Sequence, residues 1–389
     1  MLIWNDLNAL LSKNTAIPYN DPSQNIAADR FLHLKKLDQV LPAPELVTDH
    51  STFNLRAGML IGSDLLLVDY FNRVLKMDNY QAGDKLFHHN LTQDNITDTY
   101  SGTSAYRTRS ILSAKHMPQF NQTFLVDEHN DRILIYNGGI SNASSVHVLG
   151  QNSLTNGINY INNTTNRTSR FPSPIDVCRT NDYIFVSDAQ NHRVIAFSSN
   201  INVDDTDPLN PLFSNSILFA VGQPDTASNL LRAPSKKDLN RPAGLWCDES
   251  RLVIADQMNN RILEFSPLPQ SNYPEASRVI GQSDFFSKDE TKFIYRPRYL
   301  DSNGVNLLVS LPEHHKVLYW NKWPDENLAD AHYIFGQKNP ENILPYCGEV
   351  AQTTDIFCFH TPLQISQNSE SIFIADAMAG RLLIFPQFK

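Results

Sequence analysis

The stretch VSDAQNHRVIAF at residues 186–197 places an acidic, an amide and a basic residue between two apolar runs. The same order returns in VDEHNDRILIY at 126–136, IADQMNNRILEF at 254–265 and IADAMAGRLLIF at 374–385. Two altered copies are VDYFNRVLKM at 68–77 and VSLPEHHKVLYW at 309–320. Six copies in one chain predict a repeat architecture.

Each copy has two strand signals joined by a short polar link, which is typical of a β-hairpin. Asp188 ends the first strand and Arg193 begins the second, so the hairpin brings the two side chains together. The Asp can accept turn N–H groups and pair with the Arg, and Asn191 tolerates the left-handed conformation that such turns use. We call this Asp–Arg pairing the hairpin lock. Its predicted members are Asp127 and Arg132, Asp188 and Arg193, Asp256 and Arg261, and Asp376 and Arg381.

Two more strand signals accompany the hairpins, the second of them in four copies. The first begins fourteen positions before the lock position, at Pro174, Pro242, Pro297, Pro362 and, in copy two, Ser113. The second follows the hairpin and ends in Gly-Gln, as in LFAVGQ at 218–223, where glycine lets the backbone turn sharply. Four-stranded sheets repeated radially are typical of a β-propeller. The sequence therefore predicts an all-β, six-bladed β-propeller of four-stranded antiparallel blades.

The 389 residues are predicted to form this single domain, 1–389. The last copy lacks a fourth strand, so residues 1–50 are expected to act as a closing segment, with RFLHLKKL at 30–37 completing the sixth blade. The predicted blades are centred on 55–77, 113–151, 174–223, 242–282, 297–337 and 362–386.

The order D-x-x-N-x-R at 188–193, and the Pro-x-Gly at 242–244, resemble the repeat of the NHL-repeat family. The Gly-Gln after the outer strand is similar to bacterial members of that family. The resemblance implies a six-bladed propeller. Copy five departs from it with Leu311 and His314, and copy six with Ala379. Copy one is a residue short, with Asp69, Asn72 and Arg73, and these three blades are expected to be looser.

Charge and hydropathy argue against two classes of partner. With 32 basic and 41 acidic residues the net charge is −9, whereas nucleic-acid binding normally needs a basic face. No apolar run approaches the roughly 18 residues of a membrane span. The first residues carry Asp6 and no basic region, which argues against a signal peptide. Because Asn is frequent and Lys sparse, we expect an extracytoplasmic or secreted protein, given as its mature chain.

The four cysteines fall into two pairs. Cys347 and Cys358 flank a short loop and are candidates for a disulfide, with two reduced thiols as the open alternative. Cys178 and Cys247 lie in matching strand segments and are expected to be buried free thiols.

Candidate metal ligands are few. The acidic loop SNINVDDTDP offers Asn202, Asp204 and Asp207, but it lacks the Gly and Glu of a calcium-binding loop. The adjacent His314 and His315 are expected to be solvated turn residues, because no third ligand can be placed. No cofactor is predicted, and a structural Ca²⁺ ion is the one possibility left open.

Propellers commonly bind ligands at the channel mouth, where the innermost strands begin. The residues predicted to lie there are Arg56, Asp176, Arg241, Arg296, Arg298, Tyr299 and His360. A ring of arginines could hold an anionic group through charge-assisted hydrogen bonds. The alternative is that these arginines pair with neighbouring carboxylates and carbonyls.

None of the common hydrolase, metalloprotease, Cys-x-x-Cys or phosphate-loop motifs is present. We therefore expect a non-catalytic NHL-type propeller that acts as a protein- or glycan-binding scaffold through its channel mouth and blade loops. The alternative is a metal-dependent propeller enzyme, resembling lyases or lactonases, with its site at the central channel.

Overall fold

A computed structural model describes residues 16–18, 30–33, 55–69, 73–79, 89–90, 108, 110–138, 147–150, 171–200, 217–290, 294–337, 341–348 and 358–387. In these ranges the chain forms six antiparallel sheets, and its helices are short 3₁₀ turns. The fold is a six-bladed β-propeller, as the repeat predicts. Within the same ranges no helix is long and apolar enough to cross a membrane.

The chain divides into two compact units, each holding three blades. The first unit takes the described residues of 1–99, 298–325 and 329–389, and the second takes those of 100–297 and 326–328. Blades are numbered one to six in the order of their hairpins along the chain.

The first unit contains blades one, five and six. Blade one consists of β3 (Leu55–Ile61), β4 (Asp64–Asp69), β5 (Val74–Met77) and β6 (His89–Asn90). Blade five consists of β19 (Leu300–Asp301), β20 (Leu307–Leu311), β21 (Lys316–Trp320) and β22 (Tyr333–Phe335), with β1 (Ala16–Pro18) added beside β22. Blade six consists of β23 (Pro362–Gln367), β24 (Ser371–Asp376), β25 (Arg381–Pro386) and β2 (Arg30–His33).

The second unit contains blades two, three and four. Blade two consists of β7 (Ile111–Met117), β8 (Gln122–Asp127), β9 (Arg132–Asn137) and β10 (His147–Leu149). Blade three consists of β11 (Pro174–Arg179), β12 (Tyr183–Asp188), β13 (Arg193–Ser198) and β14 (Ile217–Val221). Blade four consists of β15 (Pro242–Cys247), β16 (Leu252–Asp256), β17 (Arg261–Phe265) and β18 (Arg278–Ile280).

The N-terminal part of the chain completes the sixth blade, as predicted. Strand β2 pairs antiparallel with β25, with Arg30 opposite Ile384 and His33 opposite Arg381. Without β2, β25 would be an edge strand with unpaired backbone groups.

The register corrects the alignment of copy two. Pro174 lies opposite Asp188 in blade three, and its counterpart opposite Asp127 is Ile111 rather than Ser113. The hairpin between β7 and β8 is longer because it contains the 3₁₀ turn Pro118–Phe120. The fourteen-residue spacing before the lock therefore does not hold in this blade, and Ser113 lies two residues further along the inner strand than predicted.

The tight turn of the lock also differs from the prediction. Asn191 belongs to the 3₁₀ turn Ala189–Asn191, and the left-handed residue is the next one, His192, with φ 54° and ψ 42°. The same left-handed position is occupied by Asp131, Asn260 and His315 after the turns Glu128–Asn130, Gln257–Asn259 and Pro312–His314. Asn191 was therefore predicted in the wrong role, because its amide is used for bonding to the lock.

The pair Cys178 and Cys247 is a second correction. A disulfide joins them, with Cα atoms 5.9 Å apart, so they are not free thiols. Cys178 is on β11 and Cys247 on β15, the strands that begin two successive blades of the second unit. The bond therefore connects two blades, a relation that comparing matching positions within the repeat does not reveal.

Blade five places a lysine where the other blades have arginine. Lys316 lies opposite Leu311 and is buried, and burial lowers its pKa from 10.5 to about 8. Because the folded-state pKa is below the unfolded one, the charged side chain opposes folding, and stability should rise as the pH increases from 8 to 10.5.

Replacing Lys316 with methionine should raise the free energy of unfolding at pH 7 by up to about 3 kcal/mol and remove this rise. Denaturant unfolding at pH 7 and pH 10 measures both effects. Lys237→Met, at a surface pair with Glu275, serves as the control and should change neither. If the stability difference between the wild type and Lys316→Met were the same at pH 7 and pH 10, the lowered pKa of Lys316 would be contradicted.

Candidate functional site

The hairpin lock is a buried ion pair in the structure. Arg193 Nε donates to Asp188 Oδ2 at 2.7 Å, and Asn191 Nδ2 donates to the same oxygen at 2.9 Å. Equivalent pairs join Arg132 to Asp127, Arg261 to Asp256, Arg381 to Asp376 and, in blade one, Arg73 to Asp69. In blades two, three and four an Asn side chain joins the Asp and the Arg, so three hydrogen-bonding groups meet at the turn and fix the path of the hairpin.

The lock of blade four also holds the segments that enter and leave the blade. Arg261 Nη2 donates to the carbonyls of Ser235 at 3.0 Å and Asp238 at 2.9 Å, and Nη1 donates to the carbonyl of Phe285. Asp256 Oδ1 accepts the N–H of Asn240 at 2.7 Å. One ion pair therefore fastens the loop before blade four and the loop after it.

The electrostatics of the lock reflect its burial. Loss of hydration raises the pKa of Asp256, while Arg261 and two amide groups favour its ionised form. In blade three Asp188 Oδ1 has no hydrogen-bond partner in the described chain. The residue that would donate there is Pro172, which has no N–H.

In blades two, three and four the left-handed residue after the turn joins its blade to the next one, and sequence reasoning missed it. Asp131 Oδ1 accepts the N–H of Ser173 at 3.0 Å, and Asn260 Oδ1 accepts that of Arg296 at 3.1 Å. His192 Nδ1 accepts the N–H of Arg241 at 3.2 Å. We call this position the clip. Because its residue type varies among copies, no motif marks it.

The Gly-Gln pair fixes the loop that follows the outer strand. Gly222 has φ +94°, and a Cβ there would lie 2.8 Å from both the His192 carbonyl and the Leu239 side chain. Gln223 Nε2 donates to the Leu230 carbonyl at 2.9 Å, and its Oε1 accepts the Leu230 N–H at 3.1 Å. Gln223 also binds the His192 carbonyl. In the same way, Gln282 Nε2 donates to the carbonyl of Asp289 and Gln337 Nε2 to that of Leu344, in each case seven residues further along the chain.

The loops clamped in this way carry exposed apolar side chains. In the second unit Leu230 is 58% exposed, Leu231 60% and Phe286 69%. Asp284 Oδ1 accepts the N–H groups of Phe286 at 2.8 Å and Ser287 at 2.9 Å. The backbones of Leu230 and Phe286 are therefore held while their side chains face solvent.

Asp176, one of the residues predicted at the channel mouth, is completely buried. Its Oδ2 lies 2.6 Å from Lys115 Nζ and accepts a hydrogen bond from the Leu245 N–H at 2.8 Å. The Ser113 hydroxyl donates to its Oδ1 at 2.8 Å. Lys115 Nζ also donates to the Leu245 carbonyl at 2.5 Å. These contacts tie β7, β11 and β15 together, so Asp176 has a structural role in the second unit.

The other predicted mouth residues are divided between the units. Arg241 is exposed and has φ 51°, and Arg296 is half-buried with its guanidinium 5.3 Å from the ring of Tyr295. Both belong to the second unit. In the first unit Arg298 lies 5.6 Å from the ring of buried Tyr299. The remaining two are Arg56 and His360, both half-buried in the first unit.

Asn202, Asp204 and Asp207 lie outside the described residues. Across the ranges that the structure describes, no group of three or more His, Cys, Asp or Glu residues could hold a metal ion. Cys347 and Cys358 form a disulfide, with Cα atoms 5.3 Å apart.

Comparisons with known proteins give no family. No family model matches the chain, and no curated protein matches its sequence. Two solved structures of virginiamycin B lyase from Staphylococcus aureus are similar. A catalytically inactive variant with quinupristin is 11% identical, with a TM-score of 0.42, covering 86% of this chain and 80% of that chain. A selenomethionine-substituted form is 10% identical, with a TM-score of 0.45, covering 88% and 97%.

Proposed function

We propose that this chain is an NHL-type propeller that acts as a protein-binding scaffold, and that the second unit binds its partner through the loops after β14 and β18. The resemblance of the repeat to the NHL family is compatible with this role. The observation that carries the proposal is the exposure of Leu230, Leu231 and Phe286 on backbones held by internal hydrogen bonds.

Held loops favour binding because association normally costs conformational entropy at the interface. Leu230 is fixed by Gln223 on both its N–H and its carbonyl, and Phe286 is fixed by Asp284. Arg261 bonds to the carbonyls of both loops. The two loops therefore present their apolar side chains with little further ordering required.

The chemistry of these side chains favours a protein over a glycan. Interface cores are rich in aromatic and apolar side chains, and leucine methyl groups offer a sugar no hydrogen bonds. We infer a partner that places apolar side chains against Leu230, Leu231 and Phe286. An extracytoplasmic location is supported by the two disulfides, since such bonds persist mainly in oxidising compartments.

The test compares three forms of the full chain as bait in extracts of the source cells. Changing Leu230, Leu231 and Phe286 to serine should reduce recovery of a specific partner at least tenfold, as expected for the loss of interface anchors. The control changes Leu218 and Met378, which are also exposed apolar residues, to serine and should retain the partner. Equal recovery of the partner by all three forms would overturn the proposal. If the protein binds a glycan array and the loop changes do not affect that binding, the glycan alternative is supported instead.

A further inference from the structure

Two histidines from successive blades of the first unit meet in the structure. His315 is the clip residue of blade five, and His360 lies two residues before β23 of blade six. His315 Nδ1 hydrogen-bonds to the carbonyl of His360. Because that carbonyl can only accept, Nδ1 carries the proton, and the Nε2 atom of neutral His315 has its lone pair available.

The two imidazole rings are close and half-buried. Their centroids are 5.8 Å apart with an interplanar angle of 82°. His360 Nδ1 lies 2.7 Å from Thr361 Oγ1. Neither Nε2 atom has a hydrogen-bond partner among the described residues.

A tyrosine completes the cluster. The Tyr346 ring centroid is 4.9 Å from that of His360. The Tyr346 N–H donates to the Phe359 carbonyl at 3.0 Å, and the neighbouring Cys347 is joined to Cys358. The loop that carries Tyr346 is therefore fastened directly beside the histidines, and its hydroxyl has no partner in the described chain.

We propose that His315 and His360 bind a divalent transition-metal ion of the zinc, copper or nickel type through their Nε2 atoms, with Tyr346 or water in the remaining positions. Neutral imidazole is the commonest metal ligand in proteins. Two imidazoles that share a metal at about 2.0–2.1 Å have ring centroids roughly 5–6 Å apart, which includes the observed separation.

The outer contacts are those of a metal-binding histidine. Such a residue usually bonds its second ring nitrogen to a carbonyl or another polar group, which fixes the ring and its tautomer. His315 does this with the His360 carbonyl, and His360 with Thr361. With two imidazoles instead of three, we expect weaker binding than at a structural zinc site.

The test is titration of untagged full-length protein with Zn²⁺ alone, followed by calorimetry. The repeat supplies folded replacements, because Asn260 occupies the clip position in blade four and Asn240 matches the position of His360. His315→Asn and His360→Asn should each weaken one equivalent of binding at least tenfold. His192→Asn, which removes a clip histidine of the second unit, should leave it unchanged.

Spectroscopy gives an independent reading of the ligands. The Cu²⁺-loaded protein should show hyperfine coupling to two imidazole nitrogens in electron paramagnetic resonance, and one of them should vanish in either variant. Tyr346→Phe reports whether the phenol oxygen is a ligand. Equal Zn²⁺ binding by the wild type and both asparagine variants, or no binding at all, would overturn the site.

Discussion

Replacing Arg261 with methionine is expected to lower the free energy of unfolding by about 3–5 kcal/mol, the usual cost of leaving one charge of a buried pair alone. Asp256 would lose its 2.7 Å partner, and the carbonyls of Ser235, Asp238 and Phe285 would lose a donor. Denaturant unfolding at pH 7 measures the loss. Arg251→Met, at the partly exposed pair with Asp248, is the matched control and should cost no more than about 1 kcal/mol.

The chain itself suggests a rescue. Blade five has Leu311 at the lock position that Asp256 holds in blade four, and the buried charge of Lys316 opposes folding there. The double variant Asp256→Leu with Arg261→Met leaves no buried charge at the lock and should therefore be more stable than Arg261→Met. The deficit of the single variant should also shrink as the pH is lowered. Without Arg261 the folded-state pKa of Asp256 lies further above its unfolded value, so protonation removes the buried charge. A deficit that does not depend on pH would show that the ion pair is not its source.

Deleting residues 1–40 is expected to lower the melting temperature by roughly 10 °C or more, because several kcal/mol of stability would be lost. The deletion removes β2, which pairs with β25 over Arg30–His33. Strand β25 would then be an open edge prone to pairing with other chains. Leu382, Leu383 and Phe385, which are buried in the complete protein, belong to this strand.

A shorter deletion separates the two N-terminal strands. Removing residues 1–25 takes away β1, which adds a fifth strand to blade five, and leaves β2 in place. Its melting temperature should stay within a few degrees of the wild type. Scanning calorimetry and light scattering follow unfolding and association. An unchanged melting temperature after removal of 1–40 would mean that β2 does not close the sixth blade.

Much of the fold follows from local sequence signals. The Asp and Arg of each lock are five residues apart in blades two, three, four and six, so a hairpin necessarily brings them together. The Gly-Gln pair is equally local, because a left-handed glycine can be inferred from a strand that must turn. Such features depend on only a few neighbouring residues.

The candidate site was harder to predict because its contacts join distant segments. Lys115 and Asp176 are separated by 61 residues, and Cys178 and Cys247 by 69. No pattern within one repeat shows which faces of two inner strands meet. His315 and His360 are 45 residues apart, and the sequence predicts the first as a solvated turn residue and the second as a mouth residue without linking them.

The clip has a consequence for rearranging the repeats by protein engineering. Asp131, His192 and Asn260 all accept a backbone N–H from the following blade, whereas His315 bonds to a carbonyl. Blades two, three and four are interchangeable in this respect, but a blade that normally follows one of them would offer an N–H donor to His315 if it were placed behind blade five. The clip residue therefore restricts which blade can follow which. A chimera with reordered blades would have to exchange the clip residue together with the backbone segment that it contacts.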